Sequence, residues 1–379
     1  VVVVGHVDHG KSTVIGRLLA DSGALPQGKL EQVKALCARN AKPFEYAFLL
    51  DALKDEQSQG ITIDTARCFF KTAKRRYTVI DAPGHIEFLK NMVTGAAQAD
   101  AALLVIDAHE GIQENSRRHG YIMSMLAIRQ VVILVNKMDL VGYSQAAFEA
   151  VRDEYRAFLA RLNIQPVGFI PLSAREGENL ASRSPNFSWY SGPTVLEQFD
   201  AFEKPESNRS GPFRLPVQDI YKFTEAGDER RIVAGTVTTG SVTVGEEVLF
   251  LPSGKRSRIQ SVEYFSGPNP SEAAAGDAPG FTLQTQIYIR PGELMVRPSD
   301  PQPRVSTRFR ANLFWMNRAP MIRGKSYKVK LGAARSSLKL VEVLNVLDAS
   351  ELTSVTNKQQ VARHDVAECV LETGRPVAF

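Results

Sequence analysis

The sequence predicts an α/β domain built on a mostly parallel sheet, followed by two all-β barrel domains. Three observations carry this. Buried-strand runs alternate with a stretch of helical period over the first half; the pattern changes near residue 203 to short strands at close spacing; and 379 residues are too many for one ordinary core. At roughly 150 residues per domain the length allows two or three. The expected domains are 1–202, 203–302 and 303–379.

Val1–Val4 is an apolar run that enters a Gly-rich turn. In Ser12–Ala20, Val14, Ile15, Leu18 and Leu19 share one helical stripe. Tyr77–Asp81, Ala102–Asp107, Val131–Val135 and Gly168–Leu172 read as buried strands. Between the last two, Phe148, Val151, Tyr155, Phe158 and Leu162 recur at three and four residues, the helical period. Such alternation implies a sheet covered by helices on both faces. Ile63–Phe70 and Tyr77–Ile80 flank a short charged connection, so one edge strand is expected to be antiparallel. Glu203–Pro212, polar with two prolines and a glycine, reads as a linker. Beyond it Ile232–Thr238, Val248–Leu251, Ser257–Tyr264 and Phe281–Ile289 give a barrel signature. After a break near Pro301–Pro303, Arg308–Trp315, Ser326–Lys330, Leu338–Val346 and Val366–Leu371 continue the strands.

Apolar residues make up 44% and charged residues 23%, which excludes a disordered or fibrous chain. The longest apolar runs, Ala101–Ile106 and Val131–Val135, are far too short to span a bilayer, and no signal-peptide pattern is visible. Val1 already lies inside an apolar run, so the natural start is expected upstream. Cys37, Cys68 and Cys369 are far apart, with neither zinc-type spacing nor disulfide density, which points to a reducing cytoplasm. A net charge of +5 permits a nucleic-acid partner without arguing for one.

Gly5-His6-Val7-Asp8-His9-Gly10-Lys11-Ser12 places two glycines with four residues between them and follows them with Lys and Ser. Between a strand and a helix, this pattern wraps backbone N–H groups around phosphates at the positive end of the helix. Lys11 is expected to reach the β- and γ-phosphates and Ser12 to ligate Mg2+. Gly5, Val7, Asp8, His9, Gly10 and Thr13 complete the expected contacts. Asp81-Ala82-Pro83-Gly84 ends a strand: Asp81 suits the Mg2+ shell and the Gly84 N–H suits a γ-phosphate. Asn136-Lys137-Met138-Asp139 follows Val131–Val135. The Asp139 carboxylate can accept both guanine N1–H and the 2-amino group, a pairing adenine does not supply. Ser173-Ala174-Arg175 suits a backbone N–H facing guanine O6.

In this order the four elements resemble the GTPases of translation-factor type, so the α/β domain is expected to be a P-loop GTPase domain. The resemblance implies a first switch at Gly60-Ile61-Thr62, with Thr62 a Mg2+ ligand in the GTP state. It implies a second switch at Pro83-Gly84-His85, with His85 placing the attacking water. Lys11, Thr62 and His85 are then the catalytic set. Val7 and Ile61 would flank the histidine, and Asp8 would help hold a monovalent cation. The remaining histidines, His6, His109, His119 and His364, are expected to be structural.

Stretches outside the nucleotide site resemble the large GTPase subunit of the bacterial two-subunit sulfate adenylyltransferase: Ser116–Leu126, Leu172-Ser173-Ala174 through Gly177-Glu178-Asn179, Trp189-Tyr190-Ser191-Gly192, Leu251-Pro252-Ser253-Gly254-Lys255 with Arg258, and Trp315-Met316 with Pro320 and Gly324. This implies a separate catalytic small subunit in a heterodimer or larger assembly, making adenosine 5′-phosphosulfate from ATP and sulfate while GTP hydrolysis here drives the step. Some relatives carry an adenylylsulfate kinase domain after the third barrel. Two departures stand against it. That subunit usually has Gly-Ser-Val-Asp-Asp-Gly-Lys-Ser, whereas His6 and His9 are similar to elongation factors; and Ile86-Glu87-Phe88 replaces an expected Glu-Gln-Tyr. The alternative expectation is therefore an elongation factor that carries aminoacyl-tRNA.

Overall fold

A computed structural model describes residues 1–40, 43–50, 66–85, 88–97, 99–203, 208–222, 230–264, 270–347, 354–355 and 358–379. The first-switch residues Gly60, Ile61 and Thr62 lie outside the described residues, as do Ile86 and Glu87. Residues 1–203 belong to one compact unit; the described residues from 208 onward form a second.

The first unit is a six-stranded sheet of β1 (Val2–Gly5), β2 (Ala66–Lys71), β3 (Arg76–Asp81), β4 (Ala101–Asp107), β5 (Gln130–Asn136) and β6 (Gly168–Pro171). Its order is β2-β3-β1-β4-β5-β6. β2 runs antiparallel to β3 at one edge, as the hairpin pattern predicts, and the other pairs are parallel. Every residue of β4 is buried and so is all of β5 after Gln130. Strands covered on both faces need continuous apolar runs rather than alternation. The edge strand β2 alternates instead, with Phe70 buried and Phe69 exposed.

Helices α1 (Lys11–Asp21), α2 (Lys29–Arg39), α3 (Leu89–Ala96), α4 (Glu114–Met125), α5 (Gln145–Arg161) and α6 (Val195–Ala201) complete the unit. The stripe Val14, Ile15, Leu18 and Leu19 of α1 enters one core with Val3, Leu103, Val105, Val132 and Leu134 of the sheet and Phe199 of α6. Fully burying one such side chain contributes about 1.5–3 kcal/mol, so the stripe fixes the face α1 presents. α5 buries Phe148, Val151, Tyr155, Phe158 and Leu159 and starts at Ser144, whose hydroxyl accepts the Ala147 N–H. α6 opens with a capping box between Thr194 and Glu197.

β1 lies between β3 and β4, where the strand order reverses. In open α/β sheets the crevice at the carboxyl ends beside such a reversal is where ligands bind. All four predicted loops leave the sheet at that edge: one after β1, one at the end of β3, one after β5 and one after β6.

The second unit contains a closed six-stranded barrel built from Arg214–Lys222, Arg231–Gly235, Glu247–Leu251, Lys255–Glu263, Gly280–Leu283 and Leu294–Val296. Phe213, Leu215, Phe250, Ile259 and Phe281 fill its interior. The predicted strand Phe281–Ile289 ends at Leu283, because the Thr285 N–H turns to the Ser257 hydroxyl at 3.2 Å. The first barrel strand is not legible in the sequence, since Pro216 interrupts it; the register shifts beside it, between Val217 and Asp219. The third block of strands is a five-stranded sheet whose main path joins Val305–Phe314, Val366–Ala378, Ala334–Leu347 and Ser326–Leu331, with a separate two-stranded ribbon. Among the described residues this block is not closed into a barrel, unlike the one before it. No helix among the described residues is long and apolar enough to cross a membrane.

Candidate functional site

The loop after β1 delivers the chain into α1 through Gly10, and no side chain caps the helix start. The first-turn N–H groups therefore point outward with the positive end of the helix dipole, a ready anion cradle. Lys11 stands at this point with its side chain 6% exposed. Its amine donates to the His6 carbonyl at 2.7 Å. Burial pulls the amine down to about 8, opposed by the nearby carboxylates of Asp81 and Asp8. Ser12 donates its hydroxyl to Asp81 at 2.7 Å, bringing two oxygen donors of the predicted Mg2+ shell together. That pair suits a hard divalent cation, which takes oxygen ligands and keeps several waters.

Gly84 is buried against the phosphate loop. A Cβ there would collide with the Lys11 amine and the Gly5 carbonyl, so no other residue type brings this backbone so near. Asn115 of α4 donates to the Gly84 carbonyl at 3.1 Å and fixes that peptide from the far side. His85 is partly exposed, its ring centroid 5.9 Å from that of Phe88. Val7 and Thr13 are half-buried; Asp8 is exposed and has φ 61°.

The other loops are bound to the phosphate loop by one side chain. Asn136, 2% exposed, donates to the His9 carbonyl at 2.9 Å and accepts the Ala174 N–H at 3.0 Å. Asp139 accepts the Ser173 hydroxyl at 2.7 Å. Ser173 also accepts the Glu176 N–H at 3.4 Å, which directs its own proton to Asp139. Of the Ser173-Ala174-Arg175 backbone, the Ala174 N–H is bonded to Asn136.

Sequence reasoning missed Asp107 and Asn115. Asp107, at the end of β4, pairs with Lys137 at 2.7 Å and accepts the His109 and Glu110 N–H groups. Burial alone would raise its carboxyl, but these bonds outweigh it and hold the group below the usual carboxylate range. Lys137 sits at φ 60°, where a β5 continuation is impossible, and its ammonium is held beside the loop by this pair. An Asp at a buried strand end was a signal; its partner, distant in sequence, was not.

His9 is fully buried. Its Nδ1 lies 3.2 Å from both the Val105 carbonyl and the Asp107 nitrogen, and its Nε2 is 3.4 Å from Glu110. Burial lowers the ring to about 4, so at neutral pH the contact with Glu110 joins a neutral imidazole to a carboxylate. His119 is buried too and lowered by burial to about 3. His6 stacks at a tilt 5.2 Å from His9. His9 thus ties the loop to β4, and His6 packs on His9. Trp189 and Tyr190 pack with Phe148, and the Trp189 indole donates to the Tyr143 carbonyl at 3.1 Å, bracing the segment after Asp139.

Residues 1–221 match the family of the elongation factor Tu GTP binding domain, and residues 308–379 match the GTP-eEF1A C-terminal domain-like family. The bifunctional enzyme CysN/CysC of Xylella fastidiosa is 40% identical across 100% of this chain, which spans 60% of that relative. Sulfate adenylyltransferase subunit 1 of Chromobacterium violaceum is 37% identical across 100% of the chain, which spans 79% of it. Elongation factor 1-alpha of Methanosphaerula palustris is also 37% identical, and the chain spans 89% of it. With a GTP-binding family model matched over more than half its residues and subunit 1 relatives matched along its whole length, this chain belongs to the translation-factor-like GTPases, within the family of sulfate adenylyltransferase subunit 1.

Proposed function

We propose that this chain binds and hydrolyses GTP at the carboxyl edge of its sheet, and that hydrolysis drives adenosine 5′-phosphosulfate synthesis from ATP and sulfate by a partner catalytic subunit. One observation carries the site: Asn136 joins the phosphate loop to the loop after β6 while Ser173 orients Asp139, so phosphate and base recognition are locked in one frame.

In this reading Lys11 leaves the His6 carbonyl for the β- and γ-phosphates, whose charge favours its protonated form. Backbone N–H groups from Gly5 through Thr13 surround the phosphates. Ser12, Thr62 and Asp81 would hold Mg2+, which when bound supplies charge neutralisation at the phosphates. Asp139 accepts guanine N1–H and the 2-amino group, Lys137 packs beside the base, and the Arg175 N–H donates to O6. The Gly84 N–H senses the γ-phosphate, and His85 orients the attacking water. Such positioning is the main protein contribution to phosphoryl transfer. Asp8 is the candidate helper for a monovalent cation.

The relatives named subunit 1 support a partner subunit; in this reading it is a catalytic small subunit, in a heterodimer or larger assembly, and the setting is the cytoplasm. The bifunctional relatives support an adenylylsulfate kinase domain in a longer form of the protein. The barrel and the separate five-stranded sheet support 203–302 and 303–379 as distinct domains after 1–202.

GTP turnover measured with and without the catalytic subunit, ATP and sulfate tests the reading. Hydrolysis and pyrophosphate release should rise together, and only when all three are present. The second reading, an elongation factor carrying aminoacyl-tRNA, is favoured by His6 and His9 in the phosphate loop and by the elongation factor 1-alpha relative. It requires turnover to respond to aminoacyl-tRNA and ribosomes instead.

A further inference from the structure

We infer that Arg17, which no motif claims, is a positioning residue that sets affinity for guanine by holding the residue that faces O6. The inference rests on the guanine-site reading above. Arg17 lies on α1, and its side chain is 20% exposed. Its Nε donates to the Asp21 carboxylate at 2.9 Å. Its Nη1 donates to the Arg175 carbonyl at 2.9 Å. Its plane covers the Tyr46 ring, with Cζ 4.8 Å from the centroid. Gly177, at φ 82°, backs so closely on the guanidinium that any Cβ there would overlap it.

The Ala174 N–H is bonded to Asn136, so the Arg175 N–H is the donor left to meet guanine O6. Arg17 holds the carbonyl of that same residue. A planar guanidinium binds Asp21 through one edge and the loop through another, and so transmits the rigidity of α1 to one peptide. α1 starts at Lys11, so the helix that carries the phosphate-binding lysine also sets the base-binding loop. A lysine in this place keeps the charge but has no planar fork, so one nitrogen does not reproduce the geometry of both bonds.

The test compares GDP with 6-thioguanosine diphosphate, which keeps N1–H and the 2-amino group but carries a weakly accepting sulfur in place of O6, on the full chain by fluorescence titration. Arg17→Gln should weaken GDP about tenfold, the scale of one hydrogen bond from a charged donor, and weaken the 6-thio nucleotide clearly less. Arg17→Lys should restore part of the GDP affinity. Equal weakening of both nucleotides, or of neither, overturns the inference, because a merely scaffolding residue does not distinguish bases by their 6-position. If Arg17→Gln fails to fold, Asp21→Asn decides: a smaller shift, again clearly less for the 6-thio nucleotide than for GDP, supports the inference, and any other result overturns it. The wild-type chain separates this from the underlying reading. Absence of GDP binding that depends on Asp139 removes the guanine site itself, whereas intact Asp139-dependent binding with no Arg17 effect removes only the role of Arg17.

Discussion

Asp139→Asn should exchange guanine for xanthine preference, and the structure says why the exchange should be clean. One carboxylate oxygen of Asp139 accepts the Ser173 hydroxyl at 2.7 Å, and that hydroxyl already gives one lone pair to the Glu176 N–H. An amide at position 139 that keeps the Ser173 proton turns its oxygen toward Ser173 and its NH2 away from it. Xanthine carries an acceptor where guanine carries the 2-amino group, so the amide donor meets it. In the wild-type protein, xanthine loses one hydrogen bond to a charged acceptor, worth about 1.5–3 kcal/mol, and leaves a carboxylate oxygen unmatched at a cost of about 1–3 kcal/mol. The sum of about 2.5–6 kcal/mol corresponds to roughly 10²–10⁴-fold discrimination, which the substitution should reverse in sign. Dissociation constants for fluorescent GDP and XDP on both proteins measure it. Ser173→Ala added to Asp139→Asn frees the amide to flip and should erode the xanthine preference about tenfold. An Asp139→Asn protein that still prefers GDP refutes the base-reading role. A preference indifferent to Ser173 refutes the orienting role.

Lys11→Ala should weaken GTP by about 3 kcal/mol or more, roughly a hundredfold, since a buried charge-assisted contact to phosphate is lost; retained affinity in equilibrium titration rules out the phosphate-loop assignment. Because burial sets the free Lys11 amine at about 8 and phosphate raises it on binding, nucleotide affinity should be full below pH 8 and fall as pH rises beyond it. A flat affinity from pH 7 to about 10, near the ordinary lysine value, contradicts that. Asn136→Ala strips partners from the His9 carbonyl and the Ala174 N–H, two buried groups that cost about 1–3 kcal/mol each when orphaned. GDP dissociation should accelerate and thermal stability fall together, and an unchanged dissociation rate excludes Asn136 as the link between the loops. His85→Ala should slow single-turnover hydrolysis roughly 10²-fold with GTP affinity nearly intact; unchanged turnover assigns the water to another group.

The nucleotide loops were legible because each is local. A strand, its terminal residue and the turn after it lie within a few positions, and the chemistry of phosphates and guanine fixes the residue types that turn must offer. Lys11, Ser12, Asp81, Asn136 and Asp139 all stand out as candidates this way. Arg214–Lys222 was not legible, because Pro216 breaks the strand pattern and only the barrel pairing around it restores the strand. The bridges were hidden as well. Asn115 reaches Gly84 across 31 positions and Arg17 reaches Arg175 across 158, and no spacing rule links such residues.

The sequence by itself determined the alternation of strands and helices, the antiparallel edge, the change to β structure near residue 203, and the four loops with their chemistry, since periodicity and turn chemistry are written along the chain. Tertiary structure decided which of those loops touch and through which atoms. It turned the Ala174 N–H to Asn136. It also buried His9 and His119 as neutral packing groups and set Asp107 against Lys137. Those outcomes depend on burial and on partners brought together only when the sheet forms, and the free energies of hydrogen bonds and charges are fixed by that environment rather than by residue type.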